Sequence, residues 1–398
     1  MATVRAFVPR PSATPAHGDR DVPFAPPLVG AEEIAEVVAT LESGWLSTGP
    51  RVAAFEERFA GYVGAPHAVA LNSCTAALHL SLLAAGIGAG DEVITTPLTF
   101  CATANAIIHT GATPVFADVD LFTGNLDPRS AAAAVTSRTR AVLPVHYAGR
   151  PADMARFEAL ARRHGLALIE DAAHCVEGRS GGRKVGAIGD FTCFSFYATK
   201  NLTTGEGGMV TTSDARAAAF MRSASLHGMS RNAWTRYAPG GAAQYEVTMA
   251  GFKYNMMDLQ AAIGLHQLAR IDQSLARREA IWRAYDEALA NLPIRRPGVA
   301  PEGDVHARHL YQVLIDPAYA GVTRDELHAR LRERGVSTSI HFRALHLQPF
   351  YQERFGLSRG LFPIAESISD RTLSLPLSAA MPDADVHRVI EAVHDALR

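Results

Sequence analysis

The segment Phe194-Ser195-Phe196-Tyr197-Ala198-Thr199-Lys200-Asn201-Leu202, with Thr204-Gly205-Glu206-Gly207-Gly208 behind it, runs from alternating aromatics into a lysine and then into glycines. The alternation predicts a strand before the lysine, and the glycines predict a tight turn after it. A lysine held at a strand end is placed to form a Schiff base with a carbonyl cofactor. Upstream, Leu168-Ile169-Glu170-Asp171-Ala172-Ala173-His174 reads as a buried strand that delivers Asp171 at its end. Pyridoxal phosphate needs such a pair. The lysine carries the aldehyde, and the carboxylate keeps the pyridine nitrogen protonated so that the ring accepts electrons.

Working outward, strands and helices alternate. Helices are predicted from Glu32 to Leu41 and from Arg51 to Tyr62. Strands follow at His67 to Leu71, Glu92 to Thr96, Pro114 to Val119, Ala141 to Val145 and Leu166 to Glu170. The helices Thr75 to Ala85, Phe100 to His109 and Ala152 to His164 lie between them. This βαβα order predicts an α/β fold with a mostly parallel sheet covered by helices on both faces. Ligands of such sheets bind beyond the carboxyl ends of the strands. A long helical stretch, Asp258 to Asn291, precedes a change of pattern. Beyond it come a strand at Leu310 to Ile315, a helix at Arg324 to Arg334, a strand at Ser337 to Ile340 and a closing helix at Ala384 to Leu397. The expected organisation is an N-terminal arm (1–26), a large domain (27–270) and a smaller C-terminal α+β domain (271–398), with the long helix able to bridge the two.

Composition narrows the function. At 398 residues, 48% hydrophobic and 20% charged, the chain can bury a large core. A net charge of -2 and the lack of a long basic run speak against nucleic acid as a partner. No apolar run approaches a membrane span, and the first residues lack a signal-peptide core, so a cytoplasmic location is expected. Cys74, Cys101, Cys175 and Cys193 form no C-x-x-C pair, and no H-E-x-x-H cluster occurs. Reduced cysteines and no metal site are the expectation.

Three further segments bear on the cofactor. Asn72-Ser73-Cys74-Thr75-Ala76-Ala77-Leu78 joins a strand to a helix, and its first amides form an anion site that suits a phosphate. An ordinary helix cap would look the same. Phe100, after Thr96-Pro97-Leu98-Thr99, is placed to lie flat on a pyridine ring, although a lone Phe is more often a core residue. Ser195 and Phe196 point to opposite faces of one strand, so only one of them faces the site. The ordered set of anion site, aromatic, strand-end aspartate and strand-end lysine is far more specific than any member.

These residues resemble the sugar-nucleotide aminotransferases of the DegT/DnrJ/EryC1/StrS group, which share the aspartate-aminotransferase (type I) fold of pyridoxal phosphate enzymes. The resemblance runs through Ser43-Gly44-Trp45-Leu46-Ser47-Thr48-Gly49-Pro50, Asn72 to Leu78, Gly90-Asp91-Glu92-Val93-Ile94 and Thr99-Phe100. It continues through Pro144-Val145-His146-Tyr147-Ala148-Gly149, Glu170 to His174, Ser195 to Gly208 and Gly251 to Ala262. It implies that Lys200 is the Schiff-base lysine and proton shuttle and that Asp171 binds the pyridine nitrogen. Phe100 would stack on the ring and His174 would lie near the ring hydroxyl. Cys74, Thr75 and Ser195 would hold the phosphate. Cys74 departs from the small residue usual at its position, so its backbone amide is the expected contact. The resemblance also implies a homodimer in which Asn255 reaches the neighbouring subunit's phosphate.

The cofactor would alternate between pyridoxal and pyridoxamine phosphate, with glutamate, or less favourably glutamine, as amino donor and a nucleotide-linked keto sugar as acceptor. Lys253-Tyr254-Asn255, His341-Phe342-Arg343 and Leu345-His346-Leu347-Gln348-Pro349-Phe350-Tyr351 look most like enzymes that aminate C4, closest to those forming UDP-4-amino-4-deoxyarabinose. His227, Arg231, His341 and Arg343 are candidate substrate contacts, with solvated or structural roles open for each. Sugar dehydration or cyclitol amination on the same fold and a non-catalytic regulatory homologue are the alternatives. Lys200 argues against dehydratases that carry histidine there, and the intact Asp171–Lys200 pair argues against a degenerate copy.

Overall fold

The computed structural model describes residues 21–230 and 245–398. Its central sheet has seven strands in the order β1-β9-β8-β5-β4-β2-β3. In chain order these are β1 His67–Leu71, β2 Glu92–Thr95, β3 Thr113–Phe116, β4 Thr139–Leu143 and β5 Ala167–Asp171. A small hairpin, β6 Arg179–Ser180 and β7 Arg183–Lys184, precedes β8 Phe191–Ser195 and β9 Gly208–Thr212. β2, β3, β4, β5 and β8 pair in parallel. β9 runs antiparallel to both β8 and β1, so it is the one reversed strand of the sheet. The carboxyl ends of β5 and β8 therefore lie side by side, with Asp171 opposite Cys193.

Local chemistry accounts for the helices that place the site. These are α1 Ala31–Glu42, α2 Pro50–Val63, α3 Cys74–Ala84 and α4 Cys101–His109. α3 is apolar nearly all round, and Leu78, Leu80 and Leu82 are fully buried, as befits a helix pressed on the sheet. Each such leucine stabilises the fold by about 1.5–3 kcal/mol. α2 starts at Pro50 behind Gly49, which has no side chain to cap it. Asp258 supplies the cap from far along the chain, accepting hydrogen bonds from the amides of Gly49 (2.8 Å) and Val52 (3.0 Å).

The predicted helical stretch from Asp258 divides at Arg270 into Asp258–Ala269 and Ile271–Ala288. The second helix spans two cores. Ile271 packs with the phenylalanines of α2, whereas Ile281, Trp282 and Tyr285 pack in the C-terminal core. That core surrounds the antiparallel pair β10 Tyr311–Leu314 and β11 Thr372–Leu375. Val22, from the segment read as an arm, is buried in it and its N–H donates to Gly335 O at 2.7 Å. The expected strand Ser337 to Ile340 does not form. Val336 bridges to Val22 and Ser339 to Ser374, so extended residues meet two different neighbours and no ladder develops. No helix among the described residues is long and apolar enough to cross a membrane.

Candidate active site

Asp171 is the last residue of β5 and is 4% exposed. Its Oδ2 accepts from Thr103 Oγ1 at 2.7 Å and its Oδ1 from the Ala173 amide at 3.1 Å. Thr103, in the first turn of α4, also meets the hydroxyl of Thr99, which precedes the N-cap Phe100, at 2.9 Å. Burial pushes the Asp171 carboxyl up, against those two hydrogen bonds and the field of Lys200.

Ser195 ends β8 on the cavity side, whereas Phe196 turns into the core against Phe55 and Phe59, with ring centroids 5.4 and 5.5 Å away. The chain then reverses. The Lys200 amide donates to Tyr197 O at 2.9 Å and the Thr204 amide to Phe196 O at 2.9 Å. Burial drives the Lys200 ammonium down to about 8. Asp171 opposes this. The Cys74 thiol beside it is itself pushed well up by burial, so it stays protonated and adds no counter-charge.

At the start of α3, Ser73 Oγ accepts from the Ala76 amide at 3.1 Å, leaving the Cys74 and Thr75 amides without a partner inside the helix. The start of β9 is pressed against this turn. A Cβ on Gly208 would lie 2.4 Å from the Ser73 carbonyl carbon. Cys74, Thr75, Ser195, Asp171, His174 and Lys200 all line one cavity of about 640 Å³. It fits pyridoxal phosphate: first-turn amides for the phosphate, a buried unpaired carboxylate for the pyridine nitrogen and a depressed lysine for the aldehyde. The Nδ1 of His174, buried without a partner, is a further polar atom to be met there.

The sequence pattern of the DegT/DnrJ/EryC1/StrS aminotransferase family matches residues 27–394. The chain belongs to this family. It is a pyridoxal phosphate-dependent sugar aminotransferase. It is 55% identical to the spore coat polysaccharide biosynthesis protein SpsC of Bacillus subtilis over 95% of this chain and 97% of that one. Among solved structures, the putative sugar aminotransferase Spr1654 of Streptococcus pneumoniae in its PMP form superposes with a TM-score of 0.88, at 31% identity, covering 95% of this chain and 98% of that one. DesI, solved in the presence of its TDP-sugar product, gives a TM-score of 0.84 at 37% identity, covering 96% and 95%.

Within this aminotransferase the other candidates fall in different places. Phe100, the N-cap of α4, lines the cavity with a 61% exposed ring whose centroid is 6.2 Å from that of Phe342. His341 also lines it. Its Nδ1 is 2.9 Å from Ser374 Oγ, and burial and Lys200 hold the imidazole down to about 3. Arg343 lines an adjoining cavity of about 570 Å³ that shares Thr99, Phe100, Ile340 and Phe342 with the first. His227 is exposed and lines neither cavity, and Arg231 lies outside the described residues. Asn255 is also outside the cavity. Its Nδ2 donates to Thr48 Oγ1 at 2.8 Å and its Oδ1 accepts from Lys253 Nζ at 2.6 Å.

Sequence reasoning missed Thr103, His309, Phe342 and Phe24. Thr103 had a signal, since it opens the helix that follows Thr96-Pro97-Leu98-Thr99 at the mouth of a strand. His309 had none. Its ring centroid is 4.4 Å from that of His174. Asn201 Nδ2 donates to Glu177 (2.9 Å) and Ala307 O (2.8 Å), so Asn201 Oδ1 is left to accept from His309 Nδ1 at 3.0 Å. Glu177 is in turn paired with buried Arg278. Burial and then Lys200 hold both His174 and His309 far below the ordinary imidazole range, so both are neutral.

Proposed function

We propose that this enzyme transfers an amino group from glutamate to C4 of a nucleotide-linked keto sugar, as a cytoplasmic homodimer. One observation carries the reading: Asp171, Lys200 and the first turn of α3 line a single cavity. When bound, pyridoxal phosphate supplies the electron sink for moving the amino group. The chain does the rest. Asp171 holds a proton on the pyridine nitrogen. Cys74 and Thr75 amides and the Ser195 hydroxyl hold the phosphate, and Phe100 covers the ring. Lys200 Nζ would be the base that takes the α-proton of the donor and the acid that gives it back, with the same two roles in reverse order on the sugar. With its ammonium brought down to about 8, Lys200 is suited to work as a base near neutrality.

The sugar nucleotide finds support in the adjoining cavity and in DesI, which was solved with a TDP-sugar product. C4 rests on the resemblance at 253–255, 341–343 and 345–351. In the homodimer, Asn255 serves the neighbouring subunit's phosphate site. Visible absorbance before and after glutamate tests the first half of the reaction. The expected result is a yellow protein that bleaches on adding glutamate. A cofactor band indifferent to glutamate would remove glutamate as donor. Lys200→Ala should lower turnover by at least about 10⁴-fold, losing both nucleophile and base. A near wild-type rate in that variant would overturn the assignment.

A further inference from the structure

A second, smaller cavity of about 60 Å³ lies behind the catalytic one, between the segments 121–124, 147–150 and 295–298. At about 15 Å³ per water molecule it has room for about four waters, the size of a tetrahedral oxyanion. Its charged lining is Arg150, Arg295 and Arg296, and among the described residues no carboxylate lines it. Arg150 is 7% exposed, and among the described residues its guanidinium makes one hydrogen bond, to the Gly298 carbonyl. The acids that act on it from a distance, Asp120 and Asp304, are engaged elsewhere. Asp120 Oδ1 accepts from the amides of Phe122 and Thr123 (both 2.9 Å) and from the Thr123 hydroxyl (3.1 Å). Asp304 Oδ1 accepts from the Gly181 amide at 2.7 Å.

Of the other two cations, Arg295 has no carboxylate partner among the described residues. Arg295 donates to Leu121 O at 2.9 Å and lies 5.0 Å from the Phe122 ring centroid. Arg296 is paired with Asp286 at 4.0 Å and also donates to the Asp286 carbonyl. His306, also in the lining, stays neutral because burial and then Arg308 and Arg150 hold it far below its usual range. A buried guanidinium without a counter-charge, as at Arg150, is costly unless an anion joins it. Guanidinium groups present forked donors that match phosphate oxygens.

We propose that this arginine pocket binds a phosphate group, separate from the cofactor phosphate at α3. The pocket shares a wall with the catalytic cavity. Tyr147 and Gln312 line it, and both donate to the carbonyl of His341, whose ring faces the catalytic side.

The test uses enzyme saturated with pyridoxal phosphate, so that the site at α3 is filled. Inorganic phosphate and glycerol phosphate are titrated separately by calorimetry and thermal unfolding, against chloride at matched ionic strength. The expected result is saturable binding at one site per chain with a rise in Tm. Arg150→Gln should weaken it at least about tenfold. If that variant folds poorly, Arg295→Gln at the half-buried edge should weaken it at least about threefold. Binding of inorganic phosphate alone assigns a free-ion site, and binding of the ester as well assigns a phosphorylated ligand. Phosphate behaving like chloride, or binding undiminished in both variants, overturns the proposal.

Discussion

Glu170 and Asp171 are neighbours on β5, both acidic and both buried, yet they face opposite sides of the sheet with opposite consequences. Glu170 is saturated. His146 Nδ1 accepts from the Ala152 amide at 3.0 Å, so its Nε2 carries the proton and donates to Glu170 at 2.9 Å. The other Glu170 oxygen accepts from the Gly189 amide at 2.8 Å and the Thr192 hydroxyl at 2.7 Å. Every donor is the protein's own. Asp171 has two donors and an open side toward a cavity. Burial and charge are common to both. What separates a structural acid from a functional one is the capacity left unfilled.

The contrast can be broken at several points. Asp171→Asn keeps the shape but not the charge, and turnover should fall about 10²- to 10³-fold while the fold survives. Steady-state kinetics beside a melting curve would show it, and a loss of under threefold would place the decisive carboxylate elsewhere.

Lys200 allows a test by pH. Its depressed ammonium is protonated below about 8 and free above it. Uptake of pyridoxal phosphate by the apoenzyme should therefore speed up about tenfold between pH 7 and 9 and then level off. A rise that continues to the ordinary lysine range would show that burial does not act on Lys200 as described.

Thr103→Val removes one hydrogen bond from Asp171 and pushes its carboxyl further up, so turnover should fall about tenfold with little change in cofactor content. Rescue by Thr103→Ser would separate the hydroxyl from packing. At the small end lies Glu170→Gln. It should cost about 1–3 kcal/mol of stability, seen as a lower Tm, with turnover per folded molecule within about twofold of wild type. If Glu170→Gln loses turnover as Asp171→Asn does, the distinction between the two faces fails.

Much of the site was legible because its signals are local. Lys200 announces itself by the alternating run before it and the glycines after it, and Asp171 by ending a buried strand. Ser73 to Thr75 read as a cap because a small hydroxyl residue precedes an apolar helix. Alternation alone left a choice between Ser195 and Phe196 at the end of β8, which the family resemblance resolved toward Ser195; its physical cause, the aromatic cluster on α2 that takes Phe196, appears only in the fold. Gly208–Thr212 was not anticipated as the reversed strand. Its place between β1 and β8 depends on partners distant in sequence. The segment Ser337 to Ile340 misled for the converse reason. Its β-prone residues are extended, but no single partner strand runs beside them.

The alternation of strands and helices, and the delivery of an aspartate to the end of β5, were determined by the amino-acid sequence alone, whereas the lysine expected at a strand end lies in the turn five residues beyond the end of β8. Strand period, helix caps and glycine turns act over a few residues, where sterics and backbone hydrogen bonding decide. Tertiary structure alone decided that Thr103 meets Asp171 across 68 positions and that Asn201 sets the tautomer of His309 across 108. It also decided that Arg150, Arg295 and Arg296 share one pocket. Such meetings depend on how whole layers pack, because a side chain carries no local mark of a partner that only the folded core brings within reach.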